Sequence, residues 1–484
     1  MKDTFSVQKE YYKPELIEKE LDILRNAIDE ANQKKKTKMI SSPIIKKIVY
    51  IVEKFLKQND FVCYGGTAIN NILPTFEQFY DKSVDIPDYD FFSPDAINDA
   101  KRLADIYYEN GFEEVEAKAG VHPGTYKVFV NFIPIADITQ IAPELYDAIL
   151  KDSIDIKRIY YAPPNFLRMS AYLELSRPTG DTSRWEKVLK RLVLLNKHYP
   201  LRAKNCSLKT FIRKFEAPTT KLDTIYNTVK NIVIDMGYVF FGGFAIHSYG
   251  KYLGEKERKL LLKYPDFDIL AENPELAVDK IIQKLKLSGI KNTKMIKHDE
   301  IGEIISTHYE IRIGEDTIAF IYKPLACHSY NIIKLNNKNV KIATIDTMLS
   351  LYLAFSYANR PYYDAERILC ISQYLFMVQA KNRLDQIGVL KRFSSTCYGK
   401  QSTLESIRAY KANKFKELKH DKCSDEYQHF FIRYFPYQKN TCTKTKKHLK
   451  KPAEKTAKSK TIKKQLKEKT KKSKTIKKQL KGQN

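Results

Sequence analysis

Val52–Ile69 reads VEKFLKQNDFVCYGGTAI, and Val229–Ile246 reads VKNIVIDMGYVFFGGFAI. The two align without a gap, and in each a helical apolar spacing runs into a turn, a short β-prone run, a Gly-Gly pair and the start of another helix. Further along, Asp88-Tyr89-Asp90 returns as Asp266-Phe267-Asp268, and Ser170-Ala171-Tyr172-Leu173 returns as Ser350-Leu351-Tyr352-Leu353, at nearly the same offset. A solenoid would need three or more shorter units. Landmarks at one offset therefore predict an α+β chain with two tandem copies of one domain, each a mixed sheet flanked by helices.

Outward from the copies, the spacing of Ile17, Leu21, Leu24 and Ile28 behind Pro14 predicts a helix over 14–32, ended by polar Gln33–Lys38. Ser42-Pro43 predicts the start of a second helix running to about Lys57. The expected division is an N-terminal helical arm over 1–39, a first domain over 40–204, a second over 205–410, a docking segment over 411–442 and a basic tail over 443–484. Phe430–Tyr437, an aromatic run with Arg433 inside it, reads as a terminal strand or helix laid on the core. Base stacking is its alternative use.

With 484 residues, 43% of them hydrophobic, the chain has material for two or three buried cores, and disorder of the whole is excluded. No run approaches the ~20 apolar residues of a membrane-spanning helix, so a soluble chain with no membrane partner is expected. The N-terminus has no secretory-type apolar core, and seven scattered cysteines form no CxxC pair, which predicts a reducing compartment without disulfides or a zinc ribbon. The nine histidines show no metal-ligand spacing.

The net charge is +27, and 443–484 holds 18 Lys against two Glu, so most of the excess sits there. That tail contains a 14-residue repeat, EKTAKSKTIKKQLK followed by EKTKKSKTIKKQLK, with too few apolar residues for a core, and is expected to be disordered. A polyanion suits such a chain. A solubility role for the tail explains its charge equally well.

The first copy carries a set of residues suited to a metal-bound nucleoside triphosphate. Gly65-Gly66 between strand and helix lets backbone approach phosphate oxygens at a helix N-terminus, and Thr67 adds a hydroxyl. A tight turn needing glycine is the plainer reading of the pair alone. Asp88 and Asp90, two apart in an apolar run, would project from one strand face and share a divalent cation; a solvated pair in a turn is the alternative. Val128–Asp137 reads as a neighbouring strand delivering a third carboxylate, Asp137, as metal ligand and base for a hydroxyl proton. On the helix after Pro178-Thr179-Gly180, Trp185 packs at core spacing. Arg184, Lys187, Lys190 and Arg191 either line a phosphate track or form a solvated face, with Arg184 and Lys187 the nucleotide-binding candidates.

These residues carry a resemblance. Strand, Gly-Gly-Thr, helix, Asp-x-Asp and a later single Asp resemble the DNA polymerase beta-like nucleotidyltransferase superfamily. More narrowly, YGGTAI, IPDYDFFSPDAINDAKRLADIYYENGF and LSRPTGDTSRWEKVLKRL are similar to poly(A) polymerase catalytic subunits of the large cytoplasmic DNA viruses, the poxvirus, asfarvirus and giant-virus group, over roughly residues 45 to 435. The resemblance implies template-independent addition of AMP from ATP to RNA 3′ ends with two Mg²⁺ or Mn²⁺ ions. Gly65, Gly66 and Thr67 would lie on ATP phosphates, and Asp88, Asp90 and Asp137 on the metals. It also implies a catalytically degenerate second domain, a homodimer or a processivity partner, and a location in the host cytoplasm at the viral factory or in the virion.

In the second copy Phe244 replaces Thr67, and Leu325-Ala326-Cys327 is the expected match to Ile135-Ala136-Asp137, so the third carboxylate is expected to be lost. Glu310, Glu315 and Asp316 are its candidate stand-ins. Two readings compete with the polymerase: nucleotidyl transfer to another acceptor, and a non-catalytic RNA-binding or processivity subunit.

Overall fold

The computed structural model describes residues 13–81, 85–204, 206, 221–252, 254–255 and 265–438, all within one compact unit. The basic tail over 443–484 lies outside the described residues. Pro14 and Pro43, placed where a missing N–H costs nothing, open α1 (Pro14–Ile40) and α2 (Pro43–Lys57). α1 runs past its expected end. Gln33–Lys38 are good helix formers, Lys34 pairs with Glu30 one turn back, and the break comes at Ser41-Ser42-Pro43. No side chain of α1 is buried, whereas α2 turns Ile45, Ile48, Ile51, Val52, Phe55 and Leu56 into the core.

The chain continues through β1 (Val62–Cys63), α3 (Gly65–Ile72), β2 (Tyr89–Ser93), α4 (Ala96–Glu109), β3 (Val115–Ala119), β4 (Thr125–Val130) and β5 (Ile133–Gln140). Then come α5 (Pro143–Lys151), β6 (Ile154–Ile156), β7 (Ile159–Tyr161), α6 (Pro164–Leu175) and α7 (Trp185–His198). The expected single strand over 128–137 is a hairpin. Asn131 and Phe132 adopt φ of 49° and 64° and turn β4 back into β5, the left-handed pair that a two-residue hairpin loop requires.

The second copy repeats the pattern with α8 (Leu222–Asp235), β8 (Val239–Phe240), α9 (Gly243–Tyr249), β9 (Phe267–Leu270), α10 (Pro274–Leu287), β10 (Thr293–His298), β11 (His308–Ile313) and β12 (Asp316–Tyr322). β13 (His328–Leu335), β14 (Lys338–Ala343), α11 (Ile345–Phe355), α12 (Ala365–Lys381) and β15 (Cys397–Tyr398) follow. Last come α13 (Leu404–Leu418), α14 (Asp425–Phe431) and β16 (Arg433–Tyr434), the last pairing with β3.

Two eight-stranded mixed sheets result, ordered β16-β3-β4-β5-β2-β1-β7-β6 and β10-β11-β12-β9-β8-β14-β13-β15. Each has a central strand antiparallel to the one before the glycines and parallel to the one that ends the three-stranded meander: β2 between β1 and β5, β9 between β8 and β12. The tandem-copy reading of the fold therefore holds at the level of strand order and direction. The copies meet through their equivalent helices α6 and α11, with Ser329 N–H donating to Ser176 C=O (2.8 Å) and Arg360 paired with Glu144.

The cysteine reading needs correction. Cys206 is bonded to Cys370 and Cys327 to Cys397. These partners are 164 and 70 residues apart, so chain spacing carried no sign of them. Among the described residues no helix is long and apolar enough to cross a membrane.

Candidate functional site

The site is built on β1, β2 and β5. Alternation along β2 sends Tyr89 and Phe91 into the core and Asp90 to the opposite face, and the parallel register sets Asp90 directly across from Asp137. Asp88 stands just before the strand, two residues from Asp90, so all three carboxylates lie at one end of neighbouring strands. Burial, together with Asp88 and Asp137, pushes the Asp90 carboxyl up to about 7. Burial and Asp137 raise that of Asp88.

The glycines have separate reasons. Gly65 has φ +72°, and a Cβ there would sit 2.6 Å from Asp90 Oδ2. A Cβ on Gly66 would meet Tyr80 Oη at 2.7 Å and both terminal nitrogens of Arg191 at 2.8 Å. Only residues without a side chain let the start of α3 lie against the carboxylates on one side and a guanidinium on the other. Thr67 behaves differently from expectation. It is buried, and its hydroxyl donates to the Asp88 carbonyl (2.6 Å), so it holds the approach to β2 in place.

α7 supplies the cations. Arg191 donates to Tyr80 Oη (2.6 Å) and lies over the rings of Phe79 and Tyr80, at 5.1 and 5.6 Å from their centroids. The backbone of those two residues is fixed by two 2.8 Å hydrogen bonds to the side-chain oxygen of Asn70, one turn along α3. Arg184 pairs with Glu174 (3.2 Å), Lys187 is exposed and has its pKa lowered by Arg191, burial and Arg184, and Lys190 pairs with Glu186 on the solvated side. Trp185 donates to the Glu174 carbonyl (3.1 Å), with its ring 6.1 Å from Phe393, the core role its spacing suggested.

One neighbour of the carboxylates escaped the sequence reading. Lys127, opposite Asp137 in the β4–β5 register, forms an ion pair with Asp137 Oδ2, and its charge partly offsets the upward shift of the Asp88 and Asp90 carboxyls. Arg191 was named with three other cations as a candidate for a phosphate track, and that it is the one beside Gly66 depends on how α3 and α7 pack. The fit of a divalent cation rests on the donor set. Three hard oxygen donors share one end of the sheet, and Asp137 Oδ1 is buried with no hydrogen-bond partner. In the conformation described, Lys127 takes the other oxygen, and among the described residues no three His, Cys, Asp or Glu groups converge closely enough to hold an ion.

The second copy shows what the site looks like when dismantled. β9 and β12 pair Phe267 with Ala319 and Asp268 with Phe320, as β2 and β5 pair Tyr89 with Ala136 and Asp90 with Asp137. Phe320, not Cys327, thus occupies the position of Asp137, and the match is visible as Ile318-Ala319-Phe320-Ile321 against Ile135-Ala136-Asp137-Ile138. Cys327 lies beyond β12 in its disulfide. The stand-ins do not serve. Glu310 is buried and engaged by Arg312, Thr317 and His298, Glu315 is largely exposed, and Asp316 begins β12 four residues from Phe320. Asp266 faces the half-buried guanidinium of Arg367 at 3.5 Å, and both Asp266 and Asp268 raise the Arg367 pKa.

Comparison with known proteins points the same way. Residues 50–181 match the family described as poly(A) polymerase catalytic subunit. A curated African swine fever virus protein (isolate Tick/Malawi/Lil 20-1/1983), named as a candidate poly(A) polymerase catalytic subunit, is 26% identical over 244 residues, 49% of this chain and 47% of its own length. The equivalent protein of Acanthamoeba polyphaga mimivirus is 31% identical over 190 residues, 38% of this chain and 31% of its own. The match thus spans about half, or less, of those relatives. The crystal structure of the Megavirus polyadenylate synthase superposes with a TM-score of 0.73 over 88% of this chain and 86% of that one at 20% identity, a likeness of fold.

Proposed function

We propose that the chain is a poly(A) polymerase catalytic subunit, transferring AMP from ATP to an RNA 3′-hydroxyl without a template. One observation carries the reading: β2 and β5 set Asp90 against Asp137, with Asp88 two residues away, at a glycine turn that admits no side chain. On this assignment Asp88, Asp90 and Asp137 hold Mg²⁺ or Mn²⁺, which when bound polarises the phosphate and favours the attacking alkoxide. Gly65 and Gly66 bring backbone against the triphosphate, and Arg191, Arg184 and Lys187 offset its charge. Asp137 Oδ1 takes the hydroxyl proton as the oxygen attacks the α-phosphorus. The bond from that phosphorus to the bridging oxygen breaks, and pyrophosphate leaves toward Arg191.

The same reading assigns catalysis to 40–204 and a degenerate, supporting role to 205–410, with 1–39 as an arm, 411–442 docking on the first sheet and 443–484 a basic tail. Its partners are RNA, ATP and either a regulatory subunit or a second copy, and its setting is the cytoplasm of infected cells.

The test is extension of a labelled short RNA with each NTP offered singly in Mg²⁺ or Mn²⁺, beside Asp88→Asn and Asp137→Asn. Growth selective for ATP and absent in both variants, with RNA binding retained, is expected. RNA binding without growth from any NTP would favour the binding-subunit reading.

A further inference from the structure

A cavity of about 870 Å³ opens between α2, α3, the residues leading into β2 and the β6–β7 turn. Lys46, Tyr50, Glu53 and Lys57 line it from α2, spaced so that they fall in one line along a helix face. Tyr89 and Tyr161 form its floor. The Tyr89 hydroxyl donates to Glu53 (2.8 Å), and that of Tyr161 accepts from Asn71 (3.0 Å), so these buried groups are already satisfied. Of the carboxylates on its wall, Glu53 pairs with Lys57 (3.3 Å) and Asp85 with Lys36 (3.0 Å). Tyr50, 64% exposed, presents an open ring between Lys46 and Lys57. Thr67, Tyr80 and Asp88 also line the cavity, which makes it continuous with the carboxylate site.

The β6–β7 turn gives an independent observation. Its two residues, Lys157 and Arg158, have φ of 56° and 66°, the left-handed conformation for which Asn-Gly is the easy choice and Lys-Arg a disfavoured one. Both side chains are exposed and neither makes an ion pair among the described residues, so packing does not account for them. Lys157 lines the cavity. Strain kept in a turn that sets the unpaired Lys157 against a tyrosine-lined cavity indicates a ligand that needs that charge.

We propose that this cavity binds single-stranded RNA, its bases against Tyr50 and Tyr80 and its phosphates at Lys46, Lys57 and Lys157. Aromatic faces accept any base and lysines follow the backbone, so the recognition is tolerant of sequence. That this RNA lies upstream of the reacting 3′ end rests on the polymerase reading; the binding itself does not. A lone nucleotide offers the same base and phosphate chemistry, and the experiment separates the two.

Fluorescence anisotropy of a labelled RNA 15-mer on the full chain, with chelator and without ATP, reads binding apart from catalysis. Replacing the turn by Asn-Gly (Lys157→Asn with Arg158→Gly) is expected to raise the melting temperature while weakening RNA binding several-fold and flattening the salt slope by about 0.7 per lost phosphate contact. Tyr50→Ala, which removes an exposed ring, should weaken binding roughly five- to tenfold. Lys286→Glu, on α10 of the second copy, should change it little. A turn variant that gains stability yet holds RNA as tightly as the parent would overturn the proposal. So would variants that lose ATP in equilibrium dialysis while keeping RNA, since the cavity would then be a mononucleotide site. Loss of incorporation in Asp137→Asn, which lies outside the cavity wall, with this binding unchanged keeps the two questions separate.

Discussion

Gly65 and Asp90 constrain each other at the centre of the site. The left-handed backbone at Gly65 costs an alanine ~1–2 kcal/mol, and the approach of Asp90 Oδ2 adds a clash on top. Gly65→Ala should therefore lower stability in urea by at least ~1 kcal/mol and depress incorporation further than unfolding explains, because Asp90 has to move. Asp90 also predicts a pH dependence. Its carboxyl is pushed up to about 7 by burial first and by Asp88 and Asp137 next, whereas in the unfolded chain it titrates near ~3.9. Between those values the folded chain binds more protons, so this group's contribution to stability falls as pH rises from ~4 to ~7 and stays low above. A divalent cation removes the repulsion only where the proton has left. Mg²⁺ should raise the melting temperature more at pH 8 than at pH 6, and an equal rise at both would argue against Asp90 as a ligand.

Strand register decides which copy can work, and Arg367 shows the consequence at the level of elements. With Phe320 in place of a third carboxylate, α12 supplies a half-buried guanidinium to Asp266 and Asp268, a fixed cation where the proposed function gives the first copy an exchangeable one. Arg367→Met should cost up to ~3 kcal/mol, since it removes a cation from beside two buried carboxylates, and Mn²⁺ should restore part of that loss in the variant but not in the parent. Calorimetric melts of both, with and without the ion, read this directly. The sequence made the two copies, Gly65-Gly66 and the Asp88/Asp90 pair legible, because each rests on local spacing that a strand or turn converts into geometry. It did not disclose Lys127, the choice of Arg191 among four candidate cations, or the disulfides, which come together through cross-strand pairing and helix packing between distant segments. The hairpin at Asn131-Phe132 hid inside an apolar run because its second turn residue is Phe, 81% exposed, where glycine is the usual signal. Phe320 was readable in principle: Ile-Ala-Asp-Ile and Ile-Ala-Phe-Ile align without the larger offset that led to Cys327.

For the whole molecule, the question is how a basic chain divides affinity between its folded face and its tail. The net charge is +27, and 443–484 carries 18 Lys with two Glu, so that segment outweighs the rest in long-range attraction. Among the described residues Arg191 is held by Tyr80 and Phe79, and Lys157 and Arg158 stand on a two-residue turn of fixed backbone. Attraction through lysine charge alone acts by counterion release and weakens steeply with salt, whereas stacking and positioned hydrogen bonds persist. Deleting 443–484 should thus weaken RNA binding strongly at ~50 mM salt and little at ~200 mM, flattening the slope of log affinity against log salt. Incorporation at saturating RNA should be unchanged, because the proposed function places the chemistry on Asp88, Asp90 and Asp137. Affinity titrations of the full and shortened chains across that range test this. An unchanged slope would leave the tail a solubility device and assign the electrostatic attraction to the folded face.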